Sequence, residues 1–281
     1  MILKRDEPLA PRTSWKVGGR AEYFFIPERH EEVPQAMSYC RAKGLELRVL
    51  GGGTNLLVRD EGCPAVLSLE KFRHTDGYGP FARAEAGASF PAFVKKVADN
   101  ACGGSEALAG IPGTVGGALV MNAGGHHGEI GEFVRRVKCV EPDGRIVTLD
   151  RDACGFRYRD SDLKHRVILS VDFEFTEGDR AVIRSRMREI VTKKRASQPL
   201  HGRSAGCVFR NPPGAAAGRL IDECGFKGAR VGGAVVSTVH ANFLMNEADA
   251  SAGDLLALIH QVQNRVRESR GVDLELEIKV W

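Results

Sequence analysis

The chain has 281 residues, which is enough for two domains or for one large domain with an appendage. Its hydrophobic fraction of 43% and charged fraction of 27% are typical of a soluble globular protein, and its net charge of +4 suits an anionic small ligand as well as a nucleic acid. No apolar run approaches the roughly 18 residues of a membrane span, and residues 1–16 carry charges without an apolar core, which argues against a signal peptide.

The first half of the chain predicts short helices and strands. Residues 29–43 predict a helix whose N-terminus is favoured by Glu31 and Glu32. Pro34 fits its first turn, and Gly44 can end it. Strands are expected at residues 45–50, 65–69 and 81–86, and a second helix at residues 90–101.

The second half predicts a hairpin, two long helices and two more strands. A Pro-Asp-Gly turn divides residues 134–149 into a hairpin. Further elements are expected at residues 167–175 (strand), 180–197 (helix), 254–270 (helix, ended by Gly271) and 274–280 (strand). The whole pattern predicts a mixed α+β fold.

The helix at residues 180–197 is rich in arginine and lysine. Its apolar side consists of Ile183, Met187, Ile190 and Val191. The basic residues are scattered around the helix, Glu189 interrupts them, and no aromatic residues for base stacking accompany them. A solvated helix face describes this segment better than a nucleic-acid site. Gln-Pro at residues 198–199 stops the helix.

Two glycine-rich runs lie at residues 49–58 and 110–125. Neither is a dinucleotide fingerprint or a P-loop, because Leu56 stands where G-x-G-x-x-G needs glycine and no Gly-Lys-Ser/Thr occurs. The first run alone is explained by a tight turn between strands. Two runs about 60 residues apart can also hold an extended anion such as a diphosphate, because glycine lets backbone N–H groups approach it closely.

Motifs in order along nearly the whole chain resemble one enzyme family. They are Trp15-Lys-Val-Gly-Gly, Leu50-Gly-Gly-Gly-Thr-Asn-Leu-Leu, Ala109-Gly-Ile-Pro-Gly-Thr-Val-Gly-Gly-Ala, Tyr158-Arg-Asp-Ser, Ser204-Ala-Gly-Cys-Val-Phe-Arg-Asn-Pro and Leu274-Glu-Leu-Glu-Ile. Together they resemble the UDP-N-acetylenolpyruvoylglucosamine reductase (MurB) family. The short spacing between Ser161 and Gln198 is similar to that of the family's short form, which lacks an extra substrate loop.

The resemblance implies an α+β fold with an FAD-binding domain of the vanillyl-alcohol-oxidase (PCMH) type at residues 1–182, in two subdomains of about 1–66 and 67–182. A smaller α+β C-terminal substrate-binding domain is implied at residues 183–281. FAD is expected to bind noncovalently, with NADPH as co-substrate. The expected cofactor-binding residues lie in the two runs: Gly51, Gly52, Gly53, Thr54, Asn55, Leu56, Gly110, Ile111, Pro112, Gly113, Thr114, Gly116, Gly117, Ala118 and Asn122.

The family's reaction reduces UDP-N-acetylglucosamine enolpyruvate to UDP-N-acetylmuramate, a precursor of bacterial cell-wall peptidoglycan. Hydride passes from flavin N5 to the terminal alkene carbon, and the resulting enolate must be stabilised and protonated. The protein must therefore supply a cation near the substrate carboxylate, a second polarising group and a proton donor.

The resemblance implies which residues supply the cation and the polarising group, and the chemistry of both suits the role. Arg159 matches the cation, since a guanidinium stays charged and can grip a carboxylate through two hydrogen bonds. The alternative for Arg159 is a surface ion pair with Asp160 or Asp162. Glu277 matches the polarising residue, because a carboxyl group made neutral by burial can donate a hydrogen bond. The alternative for Glu277 is an exposed strand glutamate, which describes Glu275.

Two positions depart from the family's pattern. Cys207 stands where the family usually has a serine proton donor. A thiol, with an ordinary pKa of ~8.5, is mostly protonated at neutral pH and is a stronger acid than a hydroxyl, so it can fill that role. The alternative is that Cys207 packs as a small apolar residue. Lys279 stands where the family usually has arginine, which is a mild departure.

The resemblance also implies substrate-binding residues. Arg210 and Asn211 are expected to face the UDP diphosphate, with Tyr158 and His240 as further candidates. His240 is otherwise an ordinary loop or core histidine. The remaining histidine cluster, His126-His127-Gly-Glu129, lacks the helical H-x-x-x-H spacing of a metal site, so no metal is expected.

The expected partners are small molecules, a UDP-sugar and NADPH, with no nucleic acid and no membrane; a monomer is favoured. Seven cysteines without a C-x-x-C pair indicate a reduced cytoplasmic protein. Two rival functions remain at this stage. One is a non-catalytic flavin- or UDP-sugar-binding homologue, favoured only by Cys207. The other is a flavin oxidase acting on another alcohol or sugar, which the C-terminal motifs argue against.

Overall fold

A computed structural model describes all residues from 1 to 281. The helices are α1 (Glu32–Ala42), α2 (Phe90–Asp99), α3 (Val115–Val120), α4 (Arg180–Ser197), α5 (Ala217–Glu223) and α6 (Ala252–Arg270). The strands are β1 (Ile2–Pro8), β2 (Arg20–Ile26), β3 (Leu47–Leu50), β4 (Leu56–Leu57), β5 (Cys63–Ser68), β6 (Thr75–Tyr78), β7 (Phe81–Glu85), β8 (Cys102–Gly103), β9 (Gly124–Gly125), β10 (Gly128–Glu129), β11 (Val134–Val140), β12 (Ile146–Asp150), β13 (Val167–Glu174), β14 (Thr176–Glu177), β15 (Arg230–Val231), β16 (Ala234–Val236), β17 (Leu244–Asn246) and β18 (Lys279–Val280).

The chain divides into two compact units that interleave in sequence. The first unit comprises Met1–Arg5, Tyr23–Gly52 and Pro64–Lys193. The second unit comprises Asp6–Glu22, Gly53–Cys63 and Lys194–Trp281. The domain bounds predicted at residue 182 stay a prediction, because these units follow local packing and include early segments in the second unit.

An antiparallel five-stranded sheet dominates the first unit, with strand order β12-β11-β13-β7-β6. The amphipathic helix α2 belongs to the same core, because the ring centres of Phe93 and Phe173 of β13 lie 4.9 Å apart. The Ser89 side chain caps this helix by accepting a hydrogen bond from the N–H of Ala92. Burial of large apolar side chains is the main favourable contribution to the free energy of folding. The sheet and helix thus give the unit a single apolar centre.

A four-stranded sheet has the order β1-β2-β5-β3. Its strands β3 and β5 are parallel, with Leu47 opposite Ala65 and Leu50 opposite Ser68. Because β3 ends at Leu50, the first glycine run begins directly at the carboxyl end of this strand.

The second unit has its own core around α6 and Trp15. One apolar face of α6 is buried: Leu255, Leu258, Ile259, Val262 and Val266. Trp15 is fully buried, and its Nε1 donates to the carbonyl of Leu244, 2.8 Å away. Asn246 donates to the carbonyl of Trp15, also at 2.8 Å. A buried tryptophan whose ring nitrogen has a partner contributes apolar area without a desolvation penalty.

Most predicted elements are confirmed. The helices at residues 29–43, 90–101, 180–197 and 254–270 appear as α1, α2, α4 and α6, and the strands at 45–50, 65–69, 81–86 and 167–175 appear as β3, β5, β7 and β13. The hairpin forms with Val140 opposite Ile146. Gly44 and Gly271 adopt left-handed backbone conformations at the ends of α1 and α6, as their end positions require.

One predicted element is largely wrong, and others were missed. Residues 274–280 form a strand only at Lys279–Val280, where it pairs in parallel with β4. The preceding residues follow an irregular path bridged to Phe209. The sequence reasoning also missed β1, whose side chains are mostly exposed and lack buried alternation, and the glycine-containing α3 and α5. None of the helices combines the length and apolarity needed to cross a membrane.

Candidate active site

The two glycine runs touch each other in the first unit. A Cβ added to Gly52 would lie 2.8 Å from the Cα of Gly113, and one added to Gly51 would lie 2.8 Å from Oγ1 of Thr114. Both distances are too short for a real Cβ contact with unmoved neighbours. Part of the glycine content is therefore explained by close approach of one run to the other.

The second run contains glycines of two kinds. Gly116 serves the fold: its N–H donates to the carbonyl of Ala86 at 2.8 Å, and a Cβ there would lie 2.9 Å from the Cβ of Ala86. Gly117 is exposed, and a Cβ there would meet only Oγ1 of Thr114, at 3.3 Å. Glycine within a helix costs roughly 0.5–1 kcal/mol relative to alanine. Packing within the protein does not account for that cost at Gly117.

The end of the first run lies in the second unit and is tied to the C-terminal segment. Gly53 has φ of +62°, and a Cβ there would lie 2.1 Å from the carbonyl oxygen of Arg12, so only glycine fits. The Asn55 side chain donates to the carbonyl of Glu277 at 3.1 Å, and the N–H of Lys279 donates to the carbonyl of Asn55 at 2.9 Å. These contacts connect two motifs that lie far apart in sequence.

Arg159 lies at the tip of a tight turn in the first unit. Arg157 and Asp160 exchange both backbone hydrogen bonds, at 2.9 and 3.1 Å, so that Tyr158 and Arg159 form the two-residue loop. Arg159 has φ of +54°, which is unusual for a non-glycine residue. Such a conformation costs on the order of 1–3 kcal/mol and is concentrated at functional sites.

The aspartates beside Arg159 pair with a different arginine. Arg157 donates to Asp162 at 2.8 Å and to Asp160 at 2.9 Å. These hydrogen bonds raise the pKa of Arg157. Both aspartates named in the alternative for Arg159 are thus hydrogen-bonded to Arg157.

The Arg159 guanidinium is oriented by contacts from one loop. Nη2 donates to the carbonyl of Gly124 at 2.9 Å, and Nη1 lies 3.5 Å from Oε1 of Glu129. The guanidinium carbon also lies 4.9 Å from the centre of the Tyr158 ring. Only 16% of the Arg159 side chain is exposed. A planar cation held in this way is suited to binding a carboxylate.

Asn122 connects the turn to this loop. Its Nδ2 donates to Oε2 of Glu129 at 2.5 Å and to the carbonyl of Arg157 at 3.1 Å, while its Oδ1 accepts from the N–H of Gly131 at 3.0 Å. Asn122 is buried and has φ of +40°, a conformation that asparagine tolerates better than most residues. The hydrogen bonds of its side chain go to protein groups. The predicted contact of Asn122 with FAD stays a prediction.

Cys207 lies in the second unit in a segment held by the main chain. It forms an antiparallel bridge with Phe243 and packs against a small apolar cluster, Val235, Phe243 and Met245. The next residue, Val208, donates to the carbonyl of Asn242 and accepts from the N–H of Glu277, both at 2.8 Å. Cys207 is half-buried, which suits both a thiol donor and a packing residue.

Asn242 is a structural residue that the sequence reasoning missed. Its Oδ1 accepts from the N–H of Phe209 at 2.9 Å, and its Nδ2 donates to the carbonyl of the same residue at 2.8 Å. Both residues are buried. One side chain thus satisfies two main-chain groups two residues after Cys207.

Glu277 is half-buried and lies in the irregular segment that precedes β18. Its N–H bonds to Val208, and its carbonyl accepts from Asn55, as described above. Glu275 is exposed, as expected, and its carbonyl accepts from the N–H of Arg210 at 2.9 Å. Cys207, Arg210 and Glu277 are therefore carried by two adjacent segments of the second unit.

The remaining predicted substrate residues have local structural contacts as well. Oδ1 of Asn211 accepts from the N–H of Ala217 at 3.0 Å, at the start of α5. Nδ1 of His240 accepts from the N–H of Asn242 at 3.2 Å, and the His240 ring lies edge-on to Phe243. Burial lowers the pKa of His240. Both residues retain other polar atoms, and their contacts with substrate stay predictions. No three His, Cys, Asp or Glu side chains are grouped so that they could hold a metal ion.

Comparison with known proteins identifies the family of the chain. Residues 198–281 match the family model described as UDP-N-acetylenolpyruvoylglucosamine reductase, C-terminal domain, and residues 21–150 match an FAD binding domain. The UDP-N-acetylenolpyruvoylglucosamine reductase of Moorella thermoacetica is 42% identical, over 98% of this chain and 92% of the relative. The chain belongs to the UDP-N-acetylenolpyruvoylglucosamine reductase family.

Solved structures agree with this membership. The crystal structure of UDP-N-acetylenolpyruvylglucosamine reductase (MurB) from Thermus caldophilus matches with a TM-score of 0.87 and 38% identity, over 100% of this chain and 99% of the other. A cholesterol oxidase from B. sterolicum shares the fold at 17% identity and a TM-score of 0.50, over 63% of this chain and 38% of the other. The predicted α+β fold of the PCMH flavoenzyme type is confirmed.

FAD is the cofactor of this reductase family member, and the glycine runs fit it. The exposed Gly51, Gly52 and Gly117 present main chain without side chains in the segments predicted to bind the cofactor. Gly51 and Gly52 belong to the run that begins at the end of β3, and Gly117 lies in α3. The matched FAD-binding segment covers these three glycines.

Sequence reasoning considered Glu129 only as a metal ligand. Its contact with Arg159 joins residues 30 positions apart, and no local motif indicates it. A chemical signal was available. An arginine proposed to bind a carboxylate needs a protein group to orient it, and Glu129 is an acidic residue that follows closely after the second glycine-rich run.

Proposed function

We propose that this chain is an NADPH-dependent reductase that converts UDP-N-acetylglucosamine enolpyruvate to UDP-N-acetylmuramate in peptidoglycan precursor synthesis. The observation that carries the proposal is the 42% identity to a curated reductase along 98% of the chain, which includes both the FAD-binding and the C-terminal segments. FAD, when bound, would supply the hydride chemistry that links oxidation of NADPH to reduction of the alkene.

Each residue has one task in this proposal. The glycine runs bind the cofactor's diphosphate through main-chain N–H groups. Arg159 binds the substrate carboxylate, which makes the alkene electrophilic and stabilises the negative charge that develops on the enolate. Glu277, when protonated, polarises the substrate carboxylate by donating a hydrogen bond to it.

Cys207 completes the reaction by donating the proton of its thiol to the carbon next to the carboxylate. The alkene thereby gains one hydride and one proton, and the thiolate is reprotonated from solvent. Arg210 and Asn211 bind the UDP diphosphate, with contributions from Tyr158 and His240. The proposal also includes preference for NADPH, a monomeric state and a cytoplasmic location, which suits seven free cysteines.

The test follows the two half-reactions separately. The purified protein should be yellow, and acid precipitation should release about one FAD per chain into the supernatant. NADPH oxidation should require the enolpyruvyl substrate. In Arg159→Ala, NADPH should still reduce the flavin, while reoxidation by the substrate should slow about 10²–10³-fold, as expected for loss of one charge-stabilising group.

Three outcomes would contradict the proposal in whole or in part. A protein that binds no FAD, even when FAD is added, contradicts the cofactor and the function together. An Arg159→Ala variant whose reduced flavin is reoxidised at the wild-type rate removes Arg159 from the carboxylate site. A protein that binds FAD and the UDP-sugar without turnover would instead be the non-catalytic homologue that Cys207 favours.

A further inference from the structure

Glu129 has contacts that reach beyond its own loop. Its carboxylate accepts from the Asn122 side chain at 2.5 Å and lies 3.5 Å from Nη1 of Arg159. It also accepts from the backbone N–H of Glu132, as the N-cap of a short 3-10 helix at Ile130–Phe133. The exposed fraction of the Glu129 side chain is 29%. One carboxylate therefore serves a helix cap, a buried amide and the guanidinium assigned to substrate binding.

We propose that Glu129 is a positioning residue for the reduction, and that Asn122 holds Glu129 in place for that task. Glu129 does not touch the substrate in this proposal. It fixes the plane of the Arg159 guanidinium, together with the carbonyl of Gly124, which accepts from Nη2 at 2.9 Å. The proposal rests on the proposed role of Arg159.

The geometry explains why a negative group is placed beside a cation that must bind an anion. Arg159 lies at the tip of a two-residue turn, and a long side chain there has many rotamers unless other groups restrict it. Contacts with the Glu129 carboxylate and the Gly124 carbonyl, one charged and one neutral, restrict the orientation of the guanidinium. Positioning matters because a misplacement of about 1 Å at a reacting group can cost 10²-fold in rate.

Asn122 is fitted to this task by all of its side-chain hydrogen bonds. Besides Glu129, it binds the carbonyl of Arg157, which begins the turn, and the N–H of Gly131, which belongs to the capped 3-10 helix. A Cβ added to Gly131 would lie 2.7 Å from Oδ1 of Asn122, so a larger residue there would displace the amide. The loop and the turn are thus locked together through one buried amide.

Glu129→Gln, compared with a matched capping control, separates positioning from helix capping. Glutamine has a single acceptor oxygen, and the N–H of Glu132 and the amide of Asn122 both compete for it. The NH₂ group of the new side chain then faces Arg159, where it has nothing to accept with. Glu132→Gln is the matched control, because Glu132 forms the other half of the same capping box through the N–H of Glu129 at 2.8 Å.

The experiment uses the FAD-loaded enzyme, reduced with dithionite and mixed with UDP-N-acetylglucosamine enolpyruvate in a stopped-flow instrument. Flavin absorbance gives the limiting rate of reoxidation and the substrate's apparent dissociation constant. In Glu129→Gln we expect the limiting rate to fall about 10–100-fold and the dissociation constant to change less than about threefold. Glu132→Gln should stay within about threefold of wild type in both.

A double variant excludes a merely structural role. If Glu129 acts through Arg159, then Glu129→Gln should slow reoxidation no further when it is added to Arg159→Ala. If Glu129→Gln slowed reoxidation in the Arg159→Ala variant as much as it does in the wild type, Glu129 would act on the fold. That result would overturn the proposal. So would a limiting rate within about threefold of wild type in Glu129→Gln alone.

The same measurements distinguish the two levels of failure. If Arg159→Ala itself reoxidises normally, the proposed role of Arg159 fails, and the positioning role fails with it. If Arg159→Ala is slow and Glu129→Gln is normal, only the positioning role fails. Flavin content and the circular dichroism spectrum of each variant show whether it folds. Asn122→Asp is a second variant that is expected to slow the same step. It keeps the shape of asparagine in the left-handed region but places a carboxylate against Glu129.

Discussion

Arg159 and Cys207 are held in place in different ways. The Arg159 guanidinium receives its orientation from Glu129 and from the carbonyl of Gly124, and Glu129 in turn is held by Asn122. Cys207 lies in a segment whose path is set by hydrogen bonds to its main chain: Val208 bonds to the main chains of Asn242 and Glu277, and Phe209 bonds to the Asn242 side chain. The orientation of Arg159 therefore depends on the groups that surround its side chain, whereas the position of Cys207 depends on the path of its backbone.

This difference predicts how each site tolerates substitution. A side chain placed by the backbone can be replaced by another of similar size that has the needed atom. A side chain oriented by partners that match its shape loses its orientation when that shape changes, even when its charge is kept. The predictions below test this contrast in order of decreasing effect.

The largest effect is expected for Cys207. Cys207→Ala removes the proposed proton donor, so reoxidation of the reduced flavin by the enolpyruvyl substrate should slow about 10²–10⁴-fold, while NADPH should still reduce the flavin. Cys207→Ser should recover much of the rate, because the backbone places a hydroxyl where the thiol was. Stopped-flow absorbance of the two half-reactions measures both variants. A wild-type rate in the alanine variant would show that the proton comes from another group.

Arg159→Lys should behave in the opposite way to Cys207→Ser. Lysine keeps the charge but lacks the planar group that meets Glu129 and Gly124, so reoxidation should remain about 10²-fold slower than wild type, close to the alanine variant. The measurement is the limiting rate of reoxidation at saturating substrate. Recovery to within threefold by lysine would contradict the contrast, since charge alone would then suffice.

Asn242→Ala should be the most damaging substitution for stability in the Cys207 segment. It leaves the N–H and carbonyl of buried Phe209 without their partner, and each unsatisfied group costs about 1–3 kcal/mol. The free energy of unfolding in urea should fall by roughly 2–4 kcal/mol. Asn100→Ala, at the exposed end of α2, is the matched control and should change it by less than about 0.5 kcal/mol. Equal effects of the two variants would show that the main chain near Cys207 does not depend on Asn242.

The smallest effect is expected from His240. Burial lowers its pKa in the folded protein below the ordinary 6.5, so the unfolded chain takes up a proton more readily. Stability from this residue is therefore complete above pH 6.5 and decreases as the pH falls below it. The unfolding free energy of wild type, relative to His240→Gln, should decline between pH 7.5 and pH 5.5. A difference that is independent of pH would mean that His240 is not protonated more weakly in the folded state.

Local sequence predicted the regular elements well where side-chain spacing carried the information. The apolar face of α6 and the ends of α1 and α6 at glycine depend on neighbours within a few residues. The terminal strand was wrong because Leu274–Ile278 has alternating polarity, but its main chain bonds to an irregular segment instead of a regular sheet neighbour. Alternation alone does not indicate whether a partner strand is present.

The sequence by itself determined the family, the FAD cofactor and the candidate residues, because ordered motifs along the whole chain carry that information. Only the tertiary structure decided that Asp160 and Asp162 pair with Arg157, that Arg159 faces Glu129, and that Asn242 supports the main chain beside Cys207. The physical reason is that charge and hydrogen-bonding capacity are properties of a residue, whereas the choice among several possible partners depends on distances of a few ångströms. For Arg159 and Asn242 those distances are set by how turns and loops 30 or more residues apart pack together, and for Arg157 they are set by the shape of a local turn.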